Sequence, residues 1–72
     1  MSAITSPLQV LRLNEVRRLT GLSRSHVYRL EAAGDFPRRI KLSTRASAWI
    51  ASEIEGWLAG RIATRDRQEV AS

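Results

Sequence analysis

Apolar residues recur along this chain with two different periods, and the changes of period divide it into elements. Val16 and Leu19 stand three apart within Leu13 to Thr20, and Val27 and Leu30 repeat that spacing within Arg24 to Ala33. Both segments read as short helices with one apolar side. Gly21 follows the first where a left-handed residue is cheapest, Leu22 turns inward, and Ser23 is placed to cap the second. Two helices separated by so short a turn form a helix-turn-helix over Asn14 to Leu30, and Gly34 supplies the next stop.

The residue before a proline is pushed out of the helical region, so Asp35-Phe36-Pro37 predicts an extended elbow, with Phe36 plugging the core below the second helix. Arg39-Ile40-Lys41-Leu42 then alternates polar and apolar, Ser43-Thr44-Arg45 makes a polar turn, and Ala46 to Ile50 returns as the second strand of a hairpin. Period two sets Trp49 and Ile50 on opposite faces without saying which is inward. Ser52-Glu53-Ile54-Glu55 fits a capping box and predicts a third helix starting at Ser52. Its stripe of Ile54, Trp57, Leu58 and Ile62 is expected to close the core against the first two helices. Gly56 and Gly60 either permit a close helix contact, within the domain or between copies, or have no packing role.

Residues 1–11 have no period and are interrupted by Pro7, which predicts a flexible arm that orders near Leu8 to Leu11. Beyond Arg65 the chain is charged and expected to fray. The expected division is therefore an arm at 1–11, a domain at 12–65 and a charged tail at 66–72. The fold expected is mainly α with a small β-hairpin: a compact winged helix-turn-helix of three helices and a two-stranded wing.

Composition sharpens this picture. With 72 residues the chain supports one small core,. It has no cysteine and one histidine, which argues against disulfides, a metal centre or any cofactor,. No apolar run approaches the roughly 20 residues of a bilayer span, and Met1 to Leu11 lacks the basic start of a signal peptide, so a cytoplasmic, nucleoid-associated location is expected. The net charge of +5 is unevenly placed. Residues 12–45 carry nine basic against three acidic side chains, whereas the remainder is slightly acidic. Eleven of the twelve basic residues are arginine, whose planar fork suits phosphates and guanine edges,. The positive field coincides with the helix-turn-helix and the hairpin, as a nucleic-acid surface requires.

If the second helix enters a major groove, Arg24, Ser25, Tyr28 and Arg29 are the candidates for base contact, with Ser23 at its start and His26 facing phosphate or solvent. The alternative for Arg24 and Arg29 is pairing with Glu31 or Asp35, and for Tyr28 a ring lying flat on the core. Arg39, Lys41 and Arg45 would reach the backbone or an adjacent minor groove from the hairpin, with Arg38, Ser43, Thr44 and Ser47 adding phosphate contacts. The alternative is a hairpin that covers the core with a solvated outer face. Arg17 and Arg18 lie on the first helix, which commonly crosses the phosphate backbone. Trp49 and Trp57, with apolar neighbours, are expected to anchor the core rather than stack on bases.

The ordered segments Leu11-Arg12-Leu13-Asn14-Glu15-Val16, Leu19-Thr20-Gly21-Leu22-Ser23-Arg24-Ser25, Val27-Tyr28-Arg29-Leu30, Gly34-Asp35-Phe36-Pro37, Ile40-Lys41-Leu42 and Trp49 to Leu58 closely resemble the AlpA-like prophage regulators over residues 8 to 65. Thr20 to Arg24 alone also resembles MerR-like regulators and phage excisionases; the segments together are specific. Ser43-Thr44 stands where relatives commonly carry glycines, and Gly56 where they carry a charge. The resemblance implies a small sequence-specific binder of double-stranded DNA from a phage or integrative element. Such a protein acts as a transcriptional regulator, as an excisionase, or as both, possible partners being further copies of itself on tandem sites and an integrase. No acid, base and nucleophile converge in the sequence, so an enzyme is not expected. The rival from another class is an adaptor that binds an integrase or polymerase, with DNA contact secondary.

Overall fold

Two glycines set the frame. In the computed structural model, which describes residues 9–71, helix α1 (Leu13–Thr20) ends at Gly21 with φ 75°, and its N–H donates to the Arg17 carbonyl at 2.8 Å. Helix α2 (Arg24–Ala32) ends just before Gly34, whose φ is 82°. Around that second stop Ala33 N–H donates to Arg29 O and Asp35 N–H reaches back to Leu30 O at 2.9 Å, so the last carbonyls of α2 are satisfied as the chain reverses,. Between the helices, Thr20 Oγ1 donates to Val16 O at 2.8 Å and accepts from Leu22 N–H at 3.3 Å, which stitches the turn to the helix it leaves. Ser23 caps α2 as expected, accepting from His26 N–H at 3.2 Å.

The sheet has one strand more than the sequence pattern suggested. A short strand β1 (Val10–Leu11) precedes α1, and the hairpin consists of β2 (Ile40–Ser43) and β3 (Ala46–Ile50). All pairings are antiparallel in the order β1-β3-β2, with Leu11 opposite Trp49, Val10 opposite Ile50 and Ile40 opposite Ala48. The expected ordering of the arm near Leu8 to Leu11 is met at residues 10 and 11; the rest of that expectation, at residues 1–8, lies outside the described residues. Two residues are too few to establish a period, so the sequence pattern carries no sign of this strand.

Trp49 and Leu11 point into the core with Val16, Val27, Phe36, Ala51 and Ile54. This settles the face left open by the alternation: Trp49 is buried and Ile50 half-buried. Leu13, Leu22, Tyr28, Leu30, Trp57 and Leu58 pack around the cluster. Leu19, by contrast, is 54% exposed, because α1 buries Val16 against β3 and turns the next apolar position outward.

Helix α3 (Ala51–Ala71) begins one residue before the expected start. Ala51 is buried and its N–H donates to the Gln9 carbonyl at 2.8 Å, so the strand passes directly into the helix and Ser52 falls inside the first turn instead of capping it. The helix runs past Arg65 to Ala71. Its inner stripe is shorter than expected: Ile54 is fully buried, Trp57 and Leu58 are half-buried, and Ile62 is 51% exposed. The helix packs on β3, and beyond Leu58 it has run past the body of the domain. Nothing lies within 4 Å of a Cβ built on Gly56 or Gly60, so neither glycine serves a close contact within the domain. No described helix is long and apolar enough to cross a membrane.

Three substitutions test these assignments. Gly34→Ala must force a left-handed alanine and should cost about 1–2 kcal/mol, whereas Gly56→Ala, in an open helical site, should stabilise by up to about 1 kcal/mol; urea denaturation of both variants should give shifts of opposite sign. Ile54→Ala, which hollows the middle of the core, should cost about 2–5 kcal/mol. For a chain whose total stability is on the order of 4–10 kcal/mol, calorimetry should register a loss of most cooperative melting.

Candidate nucleic-acid interface

The elbow between α2 and the hairpin decides where the hairpin sits. Phe36 is buried, and both tryptophans donate to carbonyls on either side of it: Trp49 Nε1–H to Pro37 O at 3.1 Å and Trp57 Nε1–H to Asp35 O at 2.7 Å. Phe36 meets Trp57 edge to face, with ring centroids 4.9 Å apart, and the Arg61 guanidinium lies 4.8 Å from the Trp57 ring centroid. The tryptophans are therefore core anchors, as expected, and each also uses its polar tip to hold the bend.

A second tether runs from the hairpin to α2. The Glu31 carboxylate accepts the Arg39 backbone N–H at 2.7 Å and also pairs with the Arg39 guanidinium. The pairing considered for Glu31 with Arg24 or Arg29 is not formed; among the described residues the ion pairs are Arg39–Glu31 and Arg65–Asp66. Arg24, Ser25 and Arg29 are exposed on α2, while Val27 faces the core. Tyr28 does part of what each reading expected. It is half-buried, its ring packs 6.4 Å from Trp49, and the guanidiniums of Arg24 and Arg39 lie 5.9 and 5.1 Å from its centroid. His26 is half-buried and Ser23 Oγ lies 3.5 Å from Ser25 Oγ.

Some of these side chains line two shallow hollows beside the hairpin, whereas Ser23, Ser25, His26 and Arg29 line neither. One is lined by Glu31, Ala32, Gly34, Arg38, Arg39, Lys41 and Ser47. The other brings Arg24 together with Arg45, Ser47, Arg12 and Asn14 over Tyr28 and Trp49. Thr44 and Ser43 are exposed at the hairpin turn, next to a register shift between Lys41 and Ser43. Arg17 and Arg18 stand apart, beside Asn14, Gly21 and Leu22 on the outer side of α1.

Arg12 and Asn14 were not among the residues singled out from the sequence. Arg12 had been counted in the positive field, but the pairing of Leu11 with Trp49 is what carries it alongside β3, and that pairing was not foreseen. The outer side of the hairpin also departs from the solvated face considered above. Ile40 and Leu42 are exposed there at 39% and 48%, on the side opposite Lys41 and Ser47,.

Residues 9–62 match the family model described as Prophage CP4-57 regulatory protein (AlpA). The chain is also similar to the "Uncharacterized protein ORF88" of Enterobacteria phage P4, with 49% identity over 57 residues, covering 79% of this chain and 65% of that protein's length. The matched segment spans α1, α2, the elbow, the hairpin and the packed part of α3, and the chain belongs to the AlpA family of prophage regulatory proteins.

Proposed function

We propose that the chain is a sequence-specific double-stranded DNA-binding protein that regulates transcription or recombination of a phage or integrative element. The observation that carries this reading is that Arg24, at the start of α2, and Arg45, of the hairpin, line one hollow, with Lys41 in the neighbouring one, while Ser25 and Arg29 are exposed on α2. In this reading α2 enters the major groove. Arg29 takes a guanine edge, Arg24, turned over the Tyr28 ring into the hollow beside the hairpin, takes phosphate, and Ser25 and the hydroxyl of Tyr28 take neighbouring edges or phosphates,. Ser23 and His26, at the first turn of α2, lie along the backbone, and Arg17 and Arg18 meet it from α1.

The hairpin acts as the wing, with Arg38, Lys41, Thr44 and Arg45 on phosphates or in an adjacent minor groove. Arg39 is different, since its charge is committed to Glu31. Its part is to fix the wing against α2, so that the two elements meet a duplex in constant register. Family membership supports a regulatory role. An activator and an excisionase would use the same contacts and differ in what they do to the DNA: an excisionase occupies repeated sites and bends them, while an activator sits beside a promoter.

In vitro selection from a random duplex library should return a defined motif. On that duplex Arg29→Ala should weaken binding by about 1–3 kcal/mol with relaxed preference at particular bases, whereas Arg24→Ala should weaken it evenly across sequences. Arg45→Ala should weaken binding evenly across sequences and lower the salt slope by about 0.9. Indifference to all three substitutions would favour the adaptor reading. Footprinting across the element's attachment region and the promoter of its integrase gene then separates the roles: clustered, bent repeats favour an excisionase and a single promoter-proximal site favours a regulator.

A further inference from the structure

Building on the reading of α2 and the wing as a DNA-binding face, we infer that the hollow lined by Arg12, Asn14, Arg24, Arg45 and Ser47 seats one phosphodiester group of the DNA backbone, with Arg12 as its ligand from outside the helix-turn-helix and wing. Three separate segments deliver the cations: Arg12 from the β1–α1 junction, Arg24 from the first residue of α2, and Arg45 from the hairpin turn. Their convergence is a product of the fold and not of local sequence.

The lining contains no carboxylate. That separates it from the neighbouring hollow, where Glu31 engages Arg39. None of the three arginines joins an ion pair among the described residues. Like charges gathered around one depression repel unless an anion joins them, so the site is favourable for a bound negative group. Its floor strengthens the attraction: Trp49 is buried and Tyr28 half-buried, which keeps water from that side and lowers the local dielectric constant,. The Arg24 guanidinium is already held over the Tyr28 ring at 5.9 Å, so less freedom is lost when it binds,.

A phosphate suits the place better than a base edge. The hollow is recessed between the first turn of α2 and the wing, and the group that projects outward from a duplex is the phosphate, whereas base edges lie inside the groove. Guanidinium forks bind phosphate oxygens in pairs, and the Asn14 amide and Ser47 hydroxyl supply neutral donors beside them. The Arg12 side chain makes no cap hydrogen bond to α1; it is the Arg12 backbone N–H that donates to Glu15 Oε1, at 3.0 Å.

The test compares wild type, Arg12→Gln, Arg45→Gln and the remote control Arg67→Gln on a duplex recovered by in vitro selection, with Kd followed against salt. Arg12→Gln should weaken binding about tenfold at moderate salt and reduce the log-log slope by about 0.9, with an unchanged circular dichroism spectrum and melting midpoint; Arg67→Gln, exposed far along α3, should stay with wild type. Methylphosphonate placed at one phosphate after another should identify a position whose neutralisation weakens wild type but adds no further loss to Arg12→Gln or Arg45→Gln. The Arg45 variant keeps the experiment decisive if Arg12→Gln melts early. An unchanged slope in Arg12→Gln, or equal losses in all proteins at every phosphate, overturns the seat while leaving DNA binding intact. Failure of the wild-type chain to select any duplex overturns the underlying reading, and this inference with it.

Discussion

Two indole N–H groups gripping one bend hold this domain together. The elbow at Asp35, Phe36 and Pro37 turns the chain from α2 into the hairpin, and Trp49 and Trp57 bind the carbonyls on either side of Phe36. One tryptophan comes from the middle strand of the sheet and the other from α3, so the bend is held from two elements that follow it in the chain. In a domain this small there is little spare core, and the orientation of α2 against the hairpin rests on few contacts. Tying both to the same buried aromatic cluster makes their relative position part of the folded state. A groove-binding helix and a wing need that constancy, because a small misplacement at the elbow becomes a larger one at the hairpin tip.

Charge is distributed to the same end. Of the basic residues along the face between α2 and the wing, Arg39 is neutralised by Glu31, and that pair joins the wing to the helix. Arg24 lies over an aromatic ring, and Arg12, Arg24 and Arg45 take part in no ion pair among the described residues. One cation acts as a fastener, and its neighbours carry charge that no described acidic side chain offsets. The Glu31 side chain is only 11% exposed and also accepts the Arg39 backbone N–H, so this carboxylate fixes the wing against α2 at two points.

Much of this was legible in the sequence because the signals were local. Gly21, Ser23 and Gly34 act through their own backbone or the adjacent turn, and the helices stop and start where those residues stand. Phe36 before Pro37 announced the elbow, and the alternation from Arg39 to Leu42 announced the wing. What escaped was set by pairing across the chain. Strand β1 is too short to have a period, and without it the approach of Arg12 to the wing is invisible. The capping box at Ser52 is a real local pattern, overridden because Ala51 is already bonded to Gln9 and buried. The stripe through Ile62 is genuine in sequence, yet the helix outlasts the body it packs on. The Arg39–Glu31 pair joins residues eight apart and depends on the turn between them.

The central claim is that α2 and the wing form a single surface for duplex DNA. Its most direct test is titration of the 15N-labelled chain with a selected duplex, followed by backbone amide shifts. The account predicts the largest changes from Arg24 to Arg29 and around Arg45 to Ser47, appearing together and fading as salt rises, with little change along residues 57–68. Changes concentrated on α3, with α2 and the hairpin unmoved, would contradict it.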